Sequence, residues 1–197
     1  YERPNYEENK KEIGSLVQKI NTSSNYKYQR EKINELNEIR NNIQTMQTIC
    51  SIRHSIDTED EFYEKEKNYW DEYSPLYEEI NSEFYKSVVE SKFKQEIEKD
   101  FGQQFVKISQ YSLKSFSKEI IKELQEENKL CSEYSKLLAS AKINFEGEER
   151  NLSGLGKFMQ SKDRDMRIKA SKCYYNFFEE NEEKFDDIFD KLVKLRA

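Results

Sequence analysis

Residues 139–170 read A-S-A-K-I-N-F-E-G-E-E-R-N-L-S-G-L-G-K-F-M-Q-S-K-D-R-D-M-R-I-K-A. Ile143 and Phe145 are apolar, and Lys142, Asn144 and Glu146 around them are polar. That is the two-residue period of a half-buried strand. Gly147 follows, where a positive φ carries no Cβ penalty. Arg150, Asn151 and Leu152 read as the returning strand. A β-hairpin is therefore expected near residues 142–152, then a tight turn, then a helix capped by Ser161. Everywhere else the apolar residues recur at helical spacing. The fold class predicted is all-α: a multi-helix antiparallel bundle of long amphipathic helices carrying this one hairpin.

Working outward to the N-terminus, Pro4 suits a helix start, and Ile13, Leu16, Val17 and Ile20 follow at helical intervals. N-T-S-S-N at 21–25 is a loop. Residues 26–55 form a second helix, whose seam of Ile33, Leu36, Ile39, Ile43, Met46 and Cys50 suits a partner helix. Thr58 and Glu61 have capping-box spacing. Phe62, Tyr69, Tyr73, Leu76, Ile80, Phe84 and Val88 make the next stripe, with a kink expected at Pro75. Gly102 stops a shorter helix. Phe105, Ile108 and Leu113 mark a brief one. Ser117 caps a longer helix, or two, since E-E-N-K at 126–129 breaks its rhythm. Towards the C-terminus, the last helix reaches Ala197 with no stop signal and reads as continuing. The expected organisation is a helical bundle over 1–141, hairpin and turn over 142–160, and helices over 161–197 leading into a further region.

Composition limits what the chain does. Charged residues make up 37% and hydrophobic ones 35%, which suits helices with one wet face. The 13 Tyr and 12 Phe supply enough apolar bulk for a core that a disordered acidic chain would lack. A net charge of -6 argues against nucleic acid as a partner. No apolar run is long enough to span a membrane. Cys50, Cys131 and Cys173 are widely spaced and read as reduced thiols of a cytoplasmic protein.

There is one histidine, His54, so no site needing two imidazoles can be built here. G-L-G at 154–156 lacks the third glycine of a dinucleotide loop. His54, Ser55 and Asp57 share one helical turn and cannot converge as a triad. No catalytic and no metal-binding residue is assigned. Arg53, His54 and Asp57 nevertheless place a cation, an imidazole and an acid at one helix-to-helix elbow. Either Arg53 pairs with Asp57 while His54 helps cap the helix, or the elbow lines a cleft or docks a neighbouring domain.

Three runs carry a resemblance: S-I-R-H-S-I-D-T-E-D-E-F-Y-E-K-E, L-Q-E-E-N-K-L-C-S-E-Y-S-K-L-L-A-S-A-K-I-N-F-E-G-E-E-R-N-L, and D-R-D-M-R-I-K-A-S-K-C-Y-Y-N-F-F-E-E-N-E-E-K-F-D-D-I-F-D-K-L-V-K-L-R. They resemble the N-terminal region of bacterial oligoendopeptidase F, of the thimet-oligopeptidase-like zinc metallopeptidases. The opening Y-E-R-P-N-Y-E is similar to the Gram-positive branch. The resemblance implies an all-helical enzyme whose deep channel admits oligopeptide substrates and excludes folded proteins. It also implies one zinc, held by H-E-x-x-H and a downstream glutamate. None of those ligands is in this chain. The resemblance thus makes it a channel wall or lid whose catalytic region lies elsewhere, with Arg53, His54 and Asp57 as substrate-channel candidates. The competing reading is a non-enzymatic helical scaffold that self-associates through the Leu36–Met46 seam.

Overall fold

The structure, a computed structural model, describes all residues 1–197. It holds nine α-helices, one 3₁₀ turn and one two-stranded sheet, as the helical periodicity predicts. Packing divides the chain into two compact units, Tyr1–Gln125 and Glu126–Ala197.

In the first unit α1 (Tyr6–Thr22), α2 (Tyr26–Ile56) and α3 (Glu61–Val89) run up, down and up. Short polar links force each reversal, and each helix is capped by a side chain in the link before it. Asn5 accepts from the backbone N–H groups of Glu7 and Glu8, and Asn25 accepts from that of Tyr28. At α3 the cap is Asp60, not the expected Thr58. Its Oδ1 accepts from Phe62 N at 2.9 Å and Tyr63 N at 3.1 Å. A carboxylate there satisfies two end N–H groups and opposes the positive end of the helix dipole.

Ile13, Leu16 and Ile20 of α1 meet Ile33, Leu36 and Ile43 of α2 and Trp70, Tyr77, Ile80, Phe84 and Val88 of α3 in one core. The predicted α2 seam is therefore used up inside the unit, with Ile39 and Met46 half-buried on its flank. That counts against self-association through it. The expected α3 stripe holds at Ile80, Phe84 and Val88, which are buried, with Tyr69, Tyr73 and Leu76 packed against the core, whereas Phe62 is 53% exposed and Trp70 and Tyr77 are further buried positions. The helix continues through Pro75, which is buried. α4 (Lys94–Phe101) ends at Gly102, whose φ of +89° few other residues adopt. α5 (Gln103–Ser115) buries Val106 and Ser109 rather than Ile108. Ser117 caps the 3₁₀ turn Lys118–Ile120 that leads into α6 (Ile121–Ala139), a single helix across E-E-N-K.

In the second unit, β1 (Ile143–Phe145) pairs antiparallel with β2 (Glu148–Arg150), Phe145 facing Glu148. Glu146 and Gly147 both have positive φ, +52° and +79°. Two successive positive values are the signature of a type I′ turn, whose twist suits a two-residue hairpin. The return strand therefore begins at Glu148, two residues before the expected Arg150. That frees Asn151, whose side chain accepts from Gly154 N at 2.8 Å and starts a helix, α7 (Leu152–Met159), where a turn was expected. α8 (Arg164–Glu180) is capped by Asp163 rather than Ser161. Ser161 Oγ instead accepts from Asp163 N, tightening the approach to the cap. α9 (Glu182–Arg196) follows. Phe145, Leu155 and Ala170 form the buried centre of this unit.

A Cβ at Gly147 would meet nothing within 4 Å, so a side chain there costs backbone strain alone. Gly147→Val is expected to destabilise the protein by about 1 kcal/mol, read as a lowered melting temperature.

Candidate functional site

The elbow between α2 and α3 separates its three candidate residues. His54 lies on the inner face of α2 and is only 4% exposed. Its Nε2 sits 2.9 Å from Glu64 Oε2, across the turn on α3. His54 therefore ties the two helices together instead of capping α2. Arg53 and Asp57 are exposed and make no ion pair with each other. The Asp57 carboxylate accepts from Glu59 N at 2.9 Å, and its own N–H caps Arg53 O. The link is thus fixed by backbone contacts while the Arg53 guanidinium is left in solvent. Exposed Ile52 and Ile56 share this tip.

Further along α3, Glu66 is buried and organises the chain's first residues. Arg3 grips it with both arms, Nε to Oε2 at 2.8 Å and Nη2 to Oε1 at 2.5 Å. This is the bidentate geometry that a planar guanidinium offers a carboxylate. The Tyr1 hydroxyl donates to Glu66 Oε2 at 2.7 Å and accepts from the Trp70 indole at 3.1 Å. Arg3 also lies over the Tyr69 ring, 4.6 Å from its centroid. The Tyr69 hydroxyl donates to Pro4 O at 3.0 Å. Sequence reading missed this cluster because an isolated Glu inside a charged helix gives no periodic signal. Trp70, one position off the expected stripe, was the available clue.

The Arg3 hydrogen bonds hold the Glu66 carboxyl below its ordinary value, against the opposing effect of burial. Burial pushes the Cys50 thiol up to about 11, which leaves it a core group and not a nucleophile. Beside the anchored segment, a groove of about 560 Å³ runs between the start of α1 and the middle of α2. Ile39, Ile43 and Met46 line it, with Glu2, Glu8, Glu12 and Glu38 as its acidic groups. A narrower recess contains Arg40, whose guanidinium donates to Asn81 Oδ1 at 2.9 Å, Asn37 Oδ1 at 3.1 Å and the Tyr85 hydroxyl at 2.5 Å.

These residues do not fit a zinc ion. No three His, Cys, Asp or Glu side chains converge on one point, and the single imidazole faces Glu64. What the unit offers chemically is a helical surface with polar, mainly acidic recesses.

Comparison with known proteins extends this description. Residues 1–116 match the family model described as the peptidase M3 N-terminal domain. No curated protein matches the chain. Among solved structures, an oligoendopeptidase F from Bacillus anthracis is 45% identical, with a TM-score of 0.96 over 100% of this chain and 36% of its own. PZ peptidase A, solved with an inhibitor, is 47% identical at the same TM-score, over 100% of this chain and 35% of its own. A further oligoendopeptidase F is 40% identical with the same coverage. The chain thus spans about a third of the length of these solved chains.

Glu66 lends stability that is complete above the ordinary glutamate value of 4.5 and is lost as pH falls through its lower folded value. Glu66→Gln should flatten that acid limb in melting temperatures measured from pH 7 down to pH ~3. Arg3→Ala should cost about 2 kcal/mol at neutral pH in urea unfolding. That is less than a fully enclosed pair would lose, because Arg3 is nearly half in water.

Proposed function

Because the chain belongs to the peptidase M3 family, whose N-terminal domain it carries, we propose that it forms one wall or lid of the peptide channel in a zinc-dependent oligoendopeptidase. Its substrates are short peptides, and hydrolysis belongs to a further region bearing H-E-x-x-H and the zinc. The observation that carries this reading is the 40–47% identity, maintained over every residue of the chain, to oligoendopeptidase F structures and PZ peptidase A.

The wall sieves by geometry. α1, α2 and α3 are locked by a continuous apolar core and by the Glu66 clamp, so the surface they present does not yield to a bulky substrate. Of the elbow residues, Arg53 and Asp57 are exposed, and in this reading they meet peptide, the guanidinium taking a carboxylate or carbonyl and the carboxylate an amine. His54 supports them by joining α2 to α3. Three unpaired thiols suit the reducing cytoplasm, and no helix is long and apolar enough to cross a membrane.

Purified residues 1–197 should neither take up zinc stoichiometrically nor cleave a quenched peptide. Robust cleavage by this chain alone would overturn the assignment. The reading frame beyond residue 197 should encode H-E-x-x-H. In the longer enzyme, Arg53→Ala should raise KM several-fold with kcat nearly unchanged, the mark of lost uniform binding.

A further inference from the structure

One face of α8 is already committed. Ala170 and Phe177 are buried, and Met166, Cys173 and Tyr174 pack against Phe145 and Leu155. The opposite face carries two uncovered apolar residues among polar ones. Ile168 is 43% exposed and Tyr175, seven residues on, is 64% exposed. Seven residues are two helical turns, so both side chains lie on one line. Ser171 falls between them. Its small side chain leaves a shallow hollow of about 370 Å³ bounded by Ile168, Lys172 and Tyr175. Arg167 and Lys172 border the hollow, and no carboxylate lines it. Arg167 is occupied by the carbonyls of Ser161 and Lys162, whereas Lys172 makes no ion pair. A large aromatic and a β-branched residue held in water beside an unused cation describe half of an interface.

The matched family model is an N-terminal domain, and solved chains of the same fold are nearly three times longer. We infer that the Ile168–Ser171–Tyr175 stripe of α8 is the docking face for the region that follows residue 197 in the longer enzyme. This rests on the function proposed above. The occupant is a helix of that region, setting an apolar side chain into the hollow over Ser171 and a carboxylate against Lys172. The charge of the hollow's border selects an acidic neighbour over a basic one.

The test is thiol accessibility at Tyr175→Cys, a substitution on a side chain in solvent that leaves the α8 core face intact. N-ethylmaleimide labelling of position 175, located by peptide mass spectrometry, is compared between residues 1–197 and the full-length enzyme. Labelling should be fast in residues 1–197 and slower by on the order of 100-fold in the longer protein. Equal rates would sink the docking face while leaving the peptidase assignment intact. Protection within residues 1–197 that grows with protein concentration would make the occupant a second copy, and overturns the inference. A reading frame that stops at residue 197 removes the peptidase assignment and the docking face together.

Discussion

A carboxylate buried on α3 is the constraint to which the first unit answers. Glu66 would be costly to enclose alone, because an ionised side chain loses its water on entering a protein interior. Arg3, Tyr1 and, through the Tyr1 hydroxyl, Trp70 replace that water. An extended segment with no helical hydrogen bonds of its own is thereby fixed against the long helix. Asn5 then starts α1 at a defined place and angle, so the first core residue, Tyr6, and the later Ile13 and Ile20 arrive in register with α2 and α3. The polar clamp supplies position and the core supplies most of the stabilisation.

Much of this architecture is legible in the residues, and the parts that are not have identifiable causes. The α2 periodicity of Ile33, Leu36, Ile43 and Cys50 maps directly onto buried positions. The positive φ at Gly147 follows from the residue type alone. Helix starts were harder to read, because several polar residues compete for each cap. Asp60 wins over Thr58 and Asp163 over Ser161, and in each case the losing side lies two residues earlier, in the approach. α7 was hidden because its Leu152–Met159 sequence contains two glycines, a composition that reads as a turn. Tertiary packing against α8 and the Asn151 cap outweigh that weak propensity.

The candidate site was legible as a place and not as an arrangement. A cation, an imidazole and an acid do stand at the α2–α3 elbow, but a helix faces them in different directions. His54, one position from Arg53, turns inward to Glu64 while Arg53 turns out. The Glu66 clamp was invisible for a different reason: it unites residues more than sixty positions apart, and pair contacts at that range leave no trace in local pattern. Family membership makes the chain the N-terminal part of a peptidase M3 protein, and no three of its metal-ligating side chains converge.

Trp70 is the sole tryptophan of the chain, nearly sealed from solvent, and its indole donates to the hydroxyl that touches Glu66. Its emission is therefore wired to the state of the N-terminal clamp. Release of the first residues would let water reach the ring and shift its fluorescence to the red. The molecule carries an intrinsic optical gauge of one anchoring event.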